Sequence, residues 1–370
     1  MRFPDDVPVL TDGVVTLRVH GEADLGAVVE QCTDPESAAW TTVPVPYDRD
    51  EAAAFVGSVV PQGWADGSSL SFAIEYAGQF AGSIDLRPRN AAEAEIGFGL
   101  HPAVRGKGVM HRAIDLLLDW GFGERGHSVV TWKAYVGNWP SRRVAWAAGF
   151  HFGPTVPGLS EHRGERRDTW TGWVNAADDR RPTCRWLEVP VLETGPLRLR
   201  AWREDDGDRL VDAANDERLR RFIVRTPLPR SRAAVPAYLR RVQESASLGT
   251  RLAWCVADRE TDVVLGNVAL FDFESDGSAQ VGYWAHPAAR GRGVLSQATR
   301  RVADWALTPE PEGLGLRRLY LLSAVSNSAS RRVAEQAGFG HVGTERAAAL
   351  TADGYEDNAL YDRLAVPSQR

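Results

Sequence analysis

The sequence is poor in lysine, cysteine and methionine, and it lacks any long apolar run. All but two of its 43 basic residues are arginine, the exceptions being Lys107 and Lys133. The cysteines, Cys32, Cys184 and Cys255, are odd in number and lie far apart, outside any Cys-x-x-Cys or Cys/His cluster. This pattern predicts neither a disulfide framework nor a zinc site. No segment approaches the roughly 18 consecutive apolar residues of a membrane span, so we expect neither a metal nor a membrane partner.

The chain also lacks an excess of positive charge. Its net charge is −6 and its pI is about 5.8, which argues against a nucleic-acid partner, because such binding needs a concentrated basic surface. Residues 1–10 contain one arginine and two aspartates and no apolar core of a signal peptide, which predicts a cytoplasmic protein. The length of 370 residues fits two globular domains of roughly 100–200 residues each.

Two segments of the sequence occur twice, in the same order. The run HPAVRGKGV at 101–109 returns as HPAARGRGV at 286–294, and NWPSRRVAWAAGF at 138–150 returns as NSASRRVAEQAGF at 327–339. Weaker echoes pair Leu17-Arg18 with Leu199-Arg200, Pro44 and Pro46 with Pro227 and Pro229, and Gly82 with Gly266. The spacing between partners rises steadily from 182 to 189 residues. A duplication is therefore predicted, with domains at 8–176 and 190–366 and a linker at 177–189.

Each copy has the same predicted order of elements. A first strand and helix precede a hairpin, then a strand–helix–strand–helix unit, and a closing pair of strands. In the first copy, Asp24 is the predicted N-cap of the first helix and 43–47 a proline-punctuated loop. Gly121 is the predicted end of the helix that begins at Val109. Strands and helices in this order predict a mixed α+β fold with one sheet packed by helices.

The turn after the strand at 95–100 is the candidate binding motif. Its sequence is R-G-K-G-V at 105–109 and R-G-R-G-V at 290–294. Two glycines allow a tight turn whose backbone N–H groups converge at a helix N-terminus, which makes an anion site. By itself this pattern also fits a plain strand-to-helix connection. There is no G-x-x-x-x-G-K-[ST], and no G-x-G-x-x-G with a later acidic residue, so a nucleotide triphosphatase and a dinucleotide-binding fold are both disfavoured.

The strand IGFGLHP, the turn R-G-K-G-V and the later N-x-x-S…GF together resemble the GNAT acetyltransferase superfamily. The resemblance is greatest to the branch containing the ribosomal-protein N-terminal alanine acetyltransferases, and it covers nearly the whole chain in two tandem GNAT-like domains, each with a mostly antiparallel central sheet flanked by helices. The superfamily turn is (Q/R)-x-x-G-x-(G/A). Its first four positions fit at 105–108 and 290–293, but Met110 and Leu295 stand where glycine or alanine is usual.

The resemblance implies that acetyl-CoA is the donor, that no metal takes part, and that both copies bind the donor. The binding residues implied for the first copy are Phe98, Gly99, Leu100, Arg105, Gly106, Lys107, Gly108, Val109, Met110 and Asn138. Those implied for the second copy are Tyr283, Trp284, Ala285, Arg290, Gly291, Arg292, Gly293, Val294, Leu295 and Asn327. The strand backbone would be exposed to the donor where it splays from its neighbour.

Three side chains are the implied catalytic groups. Ser141 and Ser330 would stand near the thioester sulfur, where other branches of the family use a tyrosine acid. Glu95 would accept the amine proton through water, whereas Gln280 of the second copy, an amide, has no such capacity. We therefore expect the first copy to be the better catalyst. The alternatives are that Glu95 is only a solvated strand residue and that each Asn-x-x-Ser is only a capped helix.

The predicted activity is direct transfer of an acetyl group in a ternary complex to a primary amine, either a small aminated metabolite or a protein N-terminus, by a monomer or homodimer. Two alternatives remain open. One or both copies are CoA-binding pseudoenzymes or sensors, or the donor is another acyl-CoA such as succinyl-CoA, depending on the space near Leu100 and Ala285. The predicted acceptor regions are marked by Trp40, Tyr47, Glu161, Arg163 and Asp168 in the first copy, and by Phe222, Thr226, Tyr355 and Asp357 in the second.

Overall fold

The computed structural model describes residues 7–366, which divide between Thr183 and Cys184 into two compact units. We call them unit one and unit two. The division falls inside the predicted linker, and the limits 8–176, 177–189 and 190–366 remain predictions. Arg2, Asp5 and Asp6, on which the cytoplasmic prediction partly rests, lie outside the described residues. Within 7–366, no helix has the length and apolar character needed to cross a membrane.

Unit one is built on one sheet. Its strands are β1 (Leu10–Thr11), β2 (Val15–Arg18), β3 (Leu70–Tyr76), β4 (Gln79–Pro88), β5 (Glu93–Leu100), β6 (Val129–Tyr135), β7 (His151–Phe152), β8 (Val156–His162) and β9 (Glu165–Asn175). The order across the sheet is β1-β2-β3-β4-β5-β6-β9-β7, with β8 also paired to β9. Strands β5 and β6 run parallel, and the other recorded pairs of unit one are antiparallel.

Unit two repeats this plan. Its strands are β10 (Leu192–Thr194), β11 (Leu197–Arg200), β12 (Arg251–Asp258), β13 (Val264–Phe271), β14 (Ser278–Ala285), β15 (Arg318–Ala324), β16 (Gly340–Thr351) and β17 (Gly354–Leu364). They lie in the order β10-β11-β12-β13-β14-β15-β17-β16, with β14 and β15 parallel. The predicted α+β class, with a mostly antiparallel sheet flanked by helices, is confirmed for both units.

The helices pack on the sheets. Those of unit one are α1 (Leu25–Thr33), α2 (Pro35–Trp40), α3 (Arg49–Ala54), a π-helical segment (Phe55–Val59), α4 (Val60–Asp66), α5 (Val109–Gly123) and α6 (Trp139–Ala147). Those of unit two are α7 (Gly207–Asn215), α8 (Glu217–Phe222), α9 (Val235–Ser247), α10 (Val294–Leu307) and α11 (Ser328–Gln336). Short 3₁₀ helices occupy Glu22–Asp24, Pro102–Val104, Glu204–Asp206, Arg232–Ala234 and Pro287–Ala289.

The prediction that α5 ends at Gly121 is wrong. The helix continues to Gly123, although a glycine inside a helix costs about 1 kcal/mol relative to alanine. Packing explains why glycine occurs at this position inside the helix, because a Cβ at Gly121 would lie 2.9 Å from the Leu86 side chain. Gly121 therefore lets α5 approach the buried face of β4, on which Ile84 and Leu86 are fully enclosed. Such close packing is worth more than the lost helix propensity.

Asp24 occupies the predicted N-cap position of α1, but its side chain does not cap that helix. Asp24 lies in a 3₁₀ turn, and its carboxylate does not bond to an amide of α1. Instead it accepts hydrogen bonds from Arg18 Nη1 at 2.8 Å and from the Gly21 amide at 2.9 Å. Unit two repeats the arrangement with Arg200 and Asp206, 2.8 Å apart and both buried. This pair explains why Leu-Arg recurs on the second strand of each unit.

Candidate active site

The two parallel strands of each sheet separate halfway along. In unit one, β5 pairs with β4 from Ala94 to Leu100, but it pairs with β6 only from Glu93 to Ile96. In unit two, β14 pairs with β15 only from Ser278 to Gln280. Beyond these points one edge of each strand has no partner strand in the described sheet. The predicted splaying is therefore present, and it leaves backbone N–H and C=O groups of 97–100 and 281–285 for another molecule.

A glycine on the preceding strand permits this geometry in both units. Gly82 lies opposite Leu100, and Gly266 lies opposite Ala285. A Cβ at Gly82 would collide with the Gly99 carbonyl oxygen, and one at Gly266 would lie 2.5 Å from the Trp284 carbonyl oxygen. The close backbone approach therefore requires glycine at both positions. This explains why Gly82 and Gly266 correspond in the repeat.

The turn after each splayed strand leads directly into a helix. Gly106 and Gly108 adopt φ values of +75° and +74°, and Gly291 and Gly293 adopt +73° and +71°. Non-glycine residues rarely tolerate this left-handed conformation. Gly108 and Gly293 are the N-caps of α5 and α10, and neither helix start has a side-chain cap. The first-turn N–H groups have no intrahelical acceptor, so each turn can receive an anion.

The arginine that opens each turn binds an acidic residue at the start of another helix. Arg105 donates to Asp34 at 2.6 Å and to Glu36 at 2.8 Å. In unit two, Arg290 pairs in the same way with Asp216. Sequence reasoning missed these partners. A signal was available, since Asp34 and Asp216 recur at the spacing of 182 residues found near the start of the repeat.

An asparagine caps the helix beyond the splayed strands. Asn138 Oδ1 accepts the Ser141 amide at 3.2 Å, and Asn327 Oδ1 accepts the Ser330 amide at 3.1 Å. The predicted caps of α6 and α11 are therefore present, and each contributes about 1 kcal/mol to helix stability. The cap also fixes the serine in the first turn of its helix.

The two serine hydroxyls have different partners. Trp132 Nε1 donates to Ser141 Oγ at 3.1 Å, and because an indole only donates, the serine proton is left for another acceptor. In unit two, Tyr283 donates its hydroxyl proton to the Ser330 carbonyl oxygen at 2.8 Å, and its oxygen lies 3.2 Å from Ser330 Oγ. Since the tyrosine proton is used, Ser330 donates in the second contact. Burial raises the pKa of Tyr283, which keeps this hydroxyl protonated.

Glu95 is buried and surrounded by cations. Its carboxylate lies 2.7 Å from Lys133 Nζ, 2.9 Å from Arg89 Nη2 and 3.5 Å from Arg87 Nη1. Burial by itself acts to raise the pKa of Glu95, but the hydrogen bonds from Lys133 and Arg89 and the charges of Lys133 and Arg87 outweigh it, so that the pKa lies below its usual range. In this arrangement Glu95 is ionised but weakly basic. It is more than a solvated strand residue.

A cavity of about 380 Å³ in unit one brings several predicted residues together: Glu95, Phe98, Asn138 and Ser141 all line it. The wall is completed by Trp40 at the end of α2, by Thr41 after it and by Glu161 on β8. Gly99, Leu100, Arg105, Gly106, Lys107, Gly108, Val109 and Met110 continue from its strand wall through the turn into α5.

A larger cavity, of about 620 Å³, lies in unit two. It is lined by the predicted residues Tyr283, Trp284, Ala285, Arg290, Gly291, Gly293, Val294, Leu295, Asn327 and Ser330, with Arg292 exposed on the turn beside it. Two further arginines on its wall, Arg218 of α8 and Arg332 of α11, were missed from the sequence. Together with Arg290 they make the cavity electropositive, which suits a ligand rich in phosphate.

The predicted acceptor residues of unit one are divided. Trp40 and Glu161 line the 380 Å³ cavity. Tyr47 instead packs in a separate apolar cluster that includes Cys32. Arg163 donates to the Val43 carbonyl oxygen at 3.5 Å, and Asp168 accepts the Gly158 amide at 3.1 Å. Arg163 therefore links the β8–β9 hairpin to the loop after α2, and Asp168 holds the hairpin itself.

Those of unit two are also dispersed. Phe222 lines the 620 Å³ cavity, and Thr226 lines a neighbouring cavity of about 590 Å³. Tyr355 is exposed on β17. Asp357 accepts the Ala347 amide at 2.9 Å and holds the bulged hairpin of β16 and β17.

Comparison with known proteins gives a family match in each unit. The family model described as "Acetyltransferase (GNAT) domain" matches residues 15–151 and again 196–340, well over half of the chain. A putative ribosomal N-acetyltransferase of Bacillus subtilis strain 168, YdaF, is 32% identical over 90 residues, which are 24% of this chain and 44% of that protein. The chain thus spans less than half the length of this relative.

Two solved structures also match part of the chain. Mycobacterium smegmatis RimJ in complex with CoA-disulfide has a TM-score of 0.43 and 19% identity, covering 50% of this chain and 91% of its own. The ribosomal-protein-S5-alanine acetyltransferase of Vibrio fischeri has a TM-score of 0.43 and 16% identity, covering 49% of this chain and 100% of its own.

Proposed function

Because this chain belongs to the GNAT acetyltransferase family and carries the family domain twice, we propose that it transfers an acetyl group from acetyl-CoA to a primary amine. The acceptor is a peptide N-terminus or a small aminated metabolite, and the transfer is direct, within a ternary complex in the cytoplasm. One observation carries the proposal: in unit one, Glu95 and Ser141 line the same cavity as the splayed edge at Gly97 and Phe98. A proton acceptor and a proton donor therefore face the place where a thioester would lie.

Acetyl-CoA supplies an activated acetyl group as a thioester. The turn at Gly106–Gly108 and the uncapped start of α5 fit its pyrophosphate, because open space surrounds both glycines and backbone N–H groups converge there. The unpaired edge of β5 fits the amide groups of the pantetheine arm. In unit two, Arg218, Arg290 and Arg332 add positive charge to the corresponding cavity.

The reaction requires two proton movements. The amine nitrogen forms a bond to the acetyl carbon, the carbon–sulfur bond breaks, and the amine loses one proton. Glu95 accepts that proton through water. Ser141, whose oxygen already accepts from Trp132, passes its hydroxyl proton to the departing thiolate and regains a proton through water from Glu95, so that the proton lost by the amine ends on the CoA thiol. No metal is required by this assignment.

Unit two favours a second, lesser role. Gln280 replaces Glu95 and cannot hold a proton, and Ser330 is bonded to Tyr283. Its donor turn and caps nevertheless match those of unit one. We propose that unit two binds the donor and contributes little to turnover, which makes it a CoA-binding pseudoenzyme unit. Acetyl is the proposed acyl group in both units.

Calorimetric titration of acetyl-CoA into the full chain tests donor binding. We expect two sites in the wild type and one in each of Gly106→Trp and Gly291→Trp, because a side chain at φ near +75° strains the turn and fills the phosphate site. Thiol release across an amine panel then tests catalysis. Activity should fall in Gly106→Trp and persist in Gly291→Trp. Unchanged donor binding in either variant would refute the role of that turn.

A further inference from the structure

The acceptor cavity of unit one has a charged wall that unit two lacks. We define the charged wall as Arg87, Glu95 and Lys133, which line the cavity, together with Asp85 and Arg89, which contact Arg87 and Glu95 from outside its lining. Strand register identifies the residues of unit two that occupy the same five positions, with Phe271 in place of Arg87, Gln280 in place of Glu95 and Ala269 in place of Asp85. Arg87 lies opposite Glu95, and Phe271 lies opposite Gln280. Asp85 lies opposite Gly97, as Ala269 lies opposite Gly282.

The same comparison extends to the remaining positions. Parallel pairing begins at Glu93 with Val129 and at Ser278 with Arg318, so that Lys133 corresponds to Leu322. Arg89 corresponds to Phe273, two residues beyond Phe271. All five charged positions are therefore uncharged in unit two. Since the donor turns are nearly identical, the difference concerns the other substrate.

The cations of the charged wall retain capacity for another partner. Glu95 is almost enclosed, with 9% of its side chain exposed, whereas Arg89 and Lys133 are 50% and 41% exposed. Lys133 has three N–H donors and Arg89 has five, and one of each is recorded as bonded to Glu95. Arg87, Arg89 and Lys133 also outnumber Asp85 and Glu95. The five residues therefore carry unused donors and an excess of one positive charge, and two of the three cations, Arg87 and Lys133, line the cavity.

Two further arginines lie near Tyr135, on the same cavity. Arg167 lies 5.6 Å above the ring of Tyr135, a residue that lines the cavity, and Arg163 is also near enough to act on Tyr135 electrostatically. Glu161 is the opposing charge there, and it is exposed on β8. An incoming carboxylate therefore meets more cations than anions along its path.

We propose that unit one selects acceptors that carry a carboxylate close to the amine, and that Arg89 and Lys133 bind this carboxylate. An acidic residue near a peptide N-terminus and a free acidic amino acid share this chemistry. The proposal rests on the proposed acetyl transfer by unit one. Unit two, with Phe273 and Leu322 at the same positions, has no such selectivity.

Carboxylate binding has a consequence for Glu95. When the acceptor engages Arg89 and Lys133, these cations divide their charge between two carboxylates, so the stabilisation of ionised Glu95 decreases. Its basicity then rises towards that of an ordinary carboxylate while the amine lies nearby. The selected acceptor thus makes Glu95 a better proton acceptor, and a neutral acceptor does not.

Competing acetylation of matched peptides tests the selectivity. Peptides beginning Ala-Asp and Ala-Asn, with the rest of the sequence identical, isolate one charge, and free aspartate against free asparagine separates the peptide source from the amino-acid source. For at least one of the two pairs we expect the acidic acceptor to have kcat/KM about tenfold higher or more, because a hydrogen bond to a charged group is worth that much. The ratio of kcat/KM for the acidic acceptor to kcat/KM for the neutral one should fall towards one in Lys133→Met and Arg89→Gln.

A control variant and separate folding measurements distinguish loss of selectivity from loss of folding. Arg181→Gln removes an exposed charge far along the chain from the wall and should keep the ratio. A thermal melt and acetyl-CoA titration check that each variant folds. Titration of the acetylated Ala-Asp peptide and of acetylaspartate into the protein with CoA needs no turnover, and the preferred product should bind the wild type more tightly than it binds Lys133→Met.

The outcomes are distinct. If no amine is acetylated while the acetylated acidic peptide or acetylaspartate still binds through Lys133, the proposed catalysis is refuted and the carboxylate site stands. If both acidic and neutral acceptors react equally in the wild type, or the preference survives in both wall variants, acetyl transfer stands and the carboxylate site is refuted.

Discussion

One carboxylate oxygen of Asp34 serves two partners: Oδ2 accepts the Ser37 amide at 3.0 Å and Arg105 Nη2 at 2.6 Å. Asp34 thereby caps α2 and joins that helix to the arginine of the donor turn. Asp216 repeats both bonds, to the Leu219 amide and to Arg290. The end of α2 and the residue after it contribute Trp40 and Thr41 to the 380 Å³ cavity. Asp34 therefore links the glycine turn to the helix that forms part of this cavity wall.

This link predicts separate effects for two substitutions of Asp34. Asp34→Asn keeps a capping oxygen but removes the ion pair, so stability should change by no more than about 1 kcal/mol, since the pair is partly exposed. The KM for the amine should nevertheless rise several-fold, because Trp40 and Thr41 are held less firmly in the cavity wall. Asp34→Ala should cost roughly 1 kcal/mol more, because the cap is lost as well. Steady-state kinetics measure KM, and urea unfolding measures stability. An unchanged KM in Asp34→Asn would contradict the link between the glycine turn and the cavity wall.

Glu95 should not set the acidic limb of the pH–rate profile. Because Lys133 and Arg89 overcome the opposing effect of burial and lower the pKa of Glu95, this group stays ionised below the range where a free carboxylate titrates. The limb of kcat/KM should instead follow the acceptor amine, near pH 8 for an ordinary α-amine. Glu95→Gln should lower kcat/KM by about 10²-fold or more without moving that limb. A rate that survives the substitution would disprove Glu95 as the base.

The two serines should differ in importance. Ser141→Ala should slow turnover by about 10²-fold, because it removes the proposed acid for the thiolate. Ser330→Ala should leave turnover within about twofold, since the Ser330 proton is already bonded to Tyr283 and Gln280 replaces the base. Single-turnover thiol release measures the chemical step in both variants. Equal losses in the two variants would show that the units contribute equally.

Unit one should lose stability in acid because the side chain of His20 is buried. The side chain is enclosed beside Phe55 and Phe80, and burial lowers the pKa of His20 to about 4. Its unfolded pKa is near 6.5, so below that value the unfolded state binds the extra proton and folding weakens as pH falls towards 4. The loss is on the order of 3 kcal/mol. His20→Gln should flatten urea stability between pH 6.5 and 4, whereas His151→Gln, at a half-exposed site, should not.

The local features of the site were readable from the sequence. The duplication is visible as repeated letters, and the glycine turns and the Asn-x-x-Ser caps involve residues a few positions apart, whose backbone conformation neighbouring residues dictate. The family resemblance rested on these features and is confirmed by the match of the GNAT domain in both halves. The α+β class followed from the order of the periodic segments. Donor and catalytic roles for individual residues remain predictions.

Local reading failed where packing decided the outcome. Gly121 was expected to end a helix, but its small size serves contact with Leu86, and Asp24 was expected to cap a helix, but Arg18 engages it. The helical stretch after residue 48 was not predicted. At Gly121 and Asp24 a partner from another element outweighed a local preference of about 1 kcal/mol.

The sequence by itself therefore determined that two copies of one GNAT domain are present, because the turn and caps are encoded within short segments. Tertiary structure alone decided what surrounds the proposed catalytic groups. Glu95 and Lys133 are 38 residues apart, Tyr283 and Ser330 are 47 apart, and Asp34 and Arg105 are 71 apart. These contacts form only when strand register and helix packing bring distant segments together, and register is a property of the whole sheet.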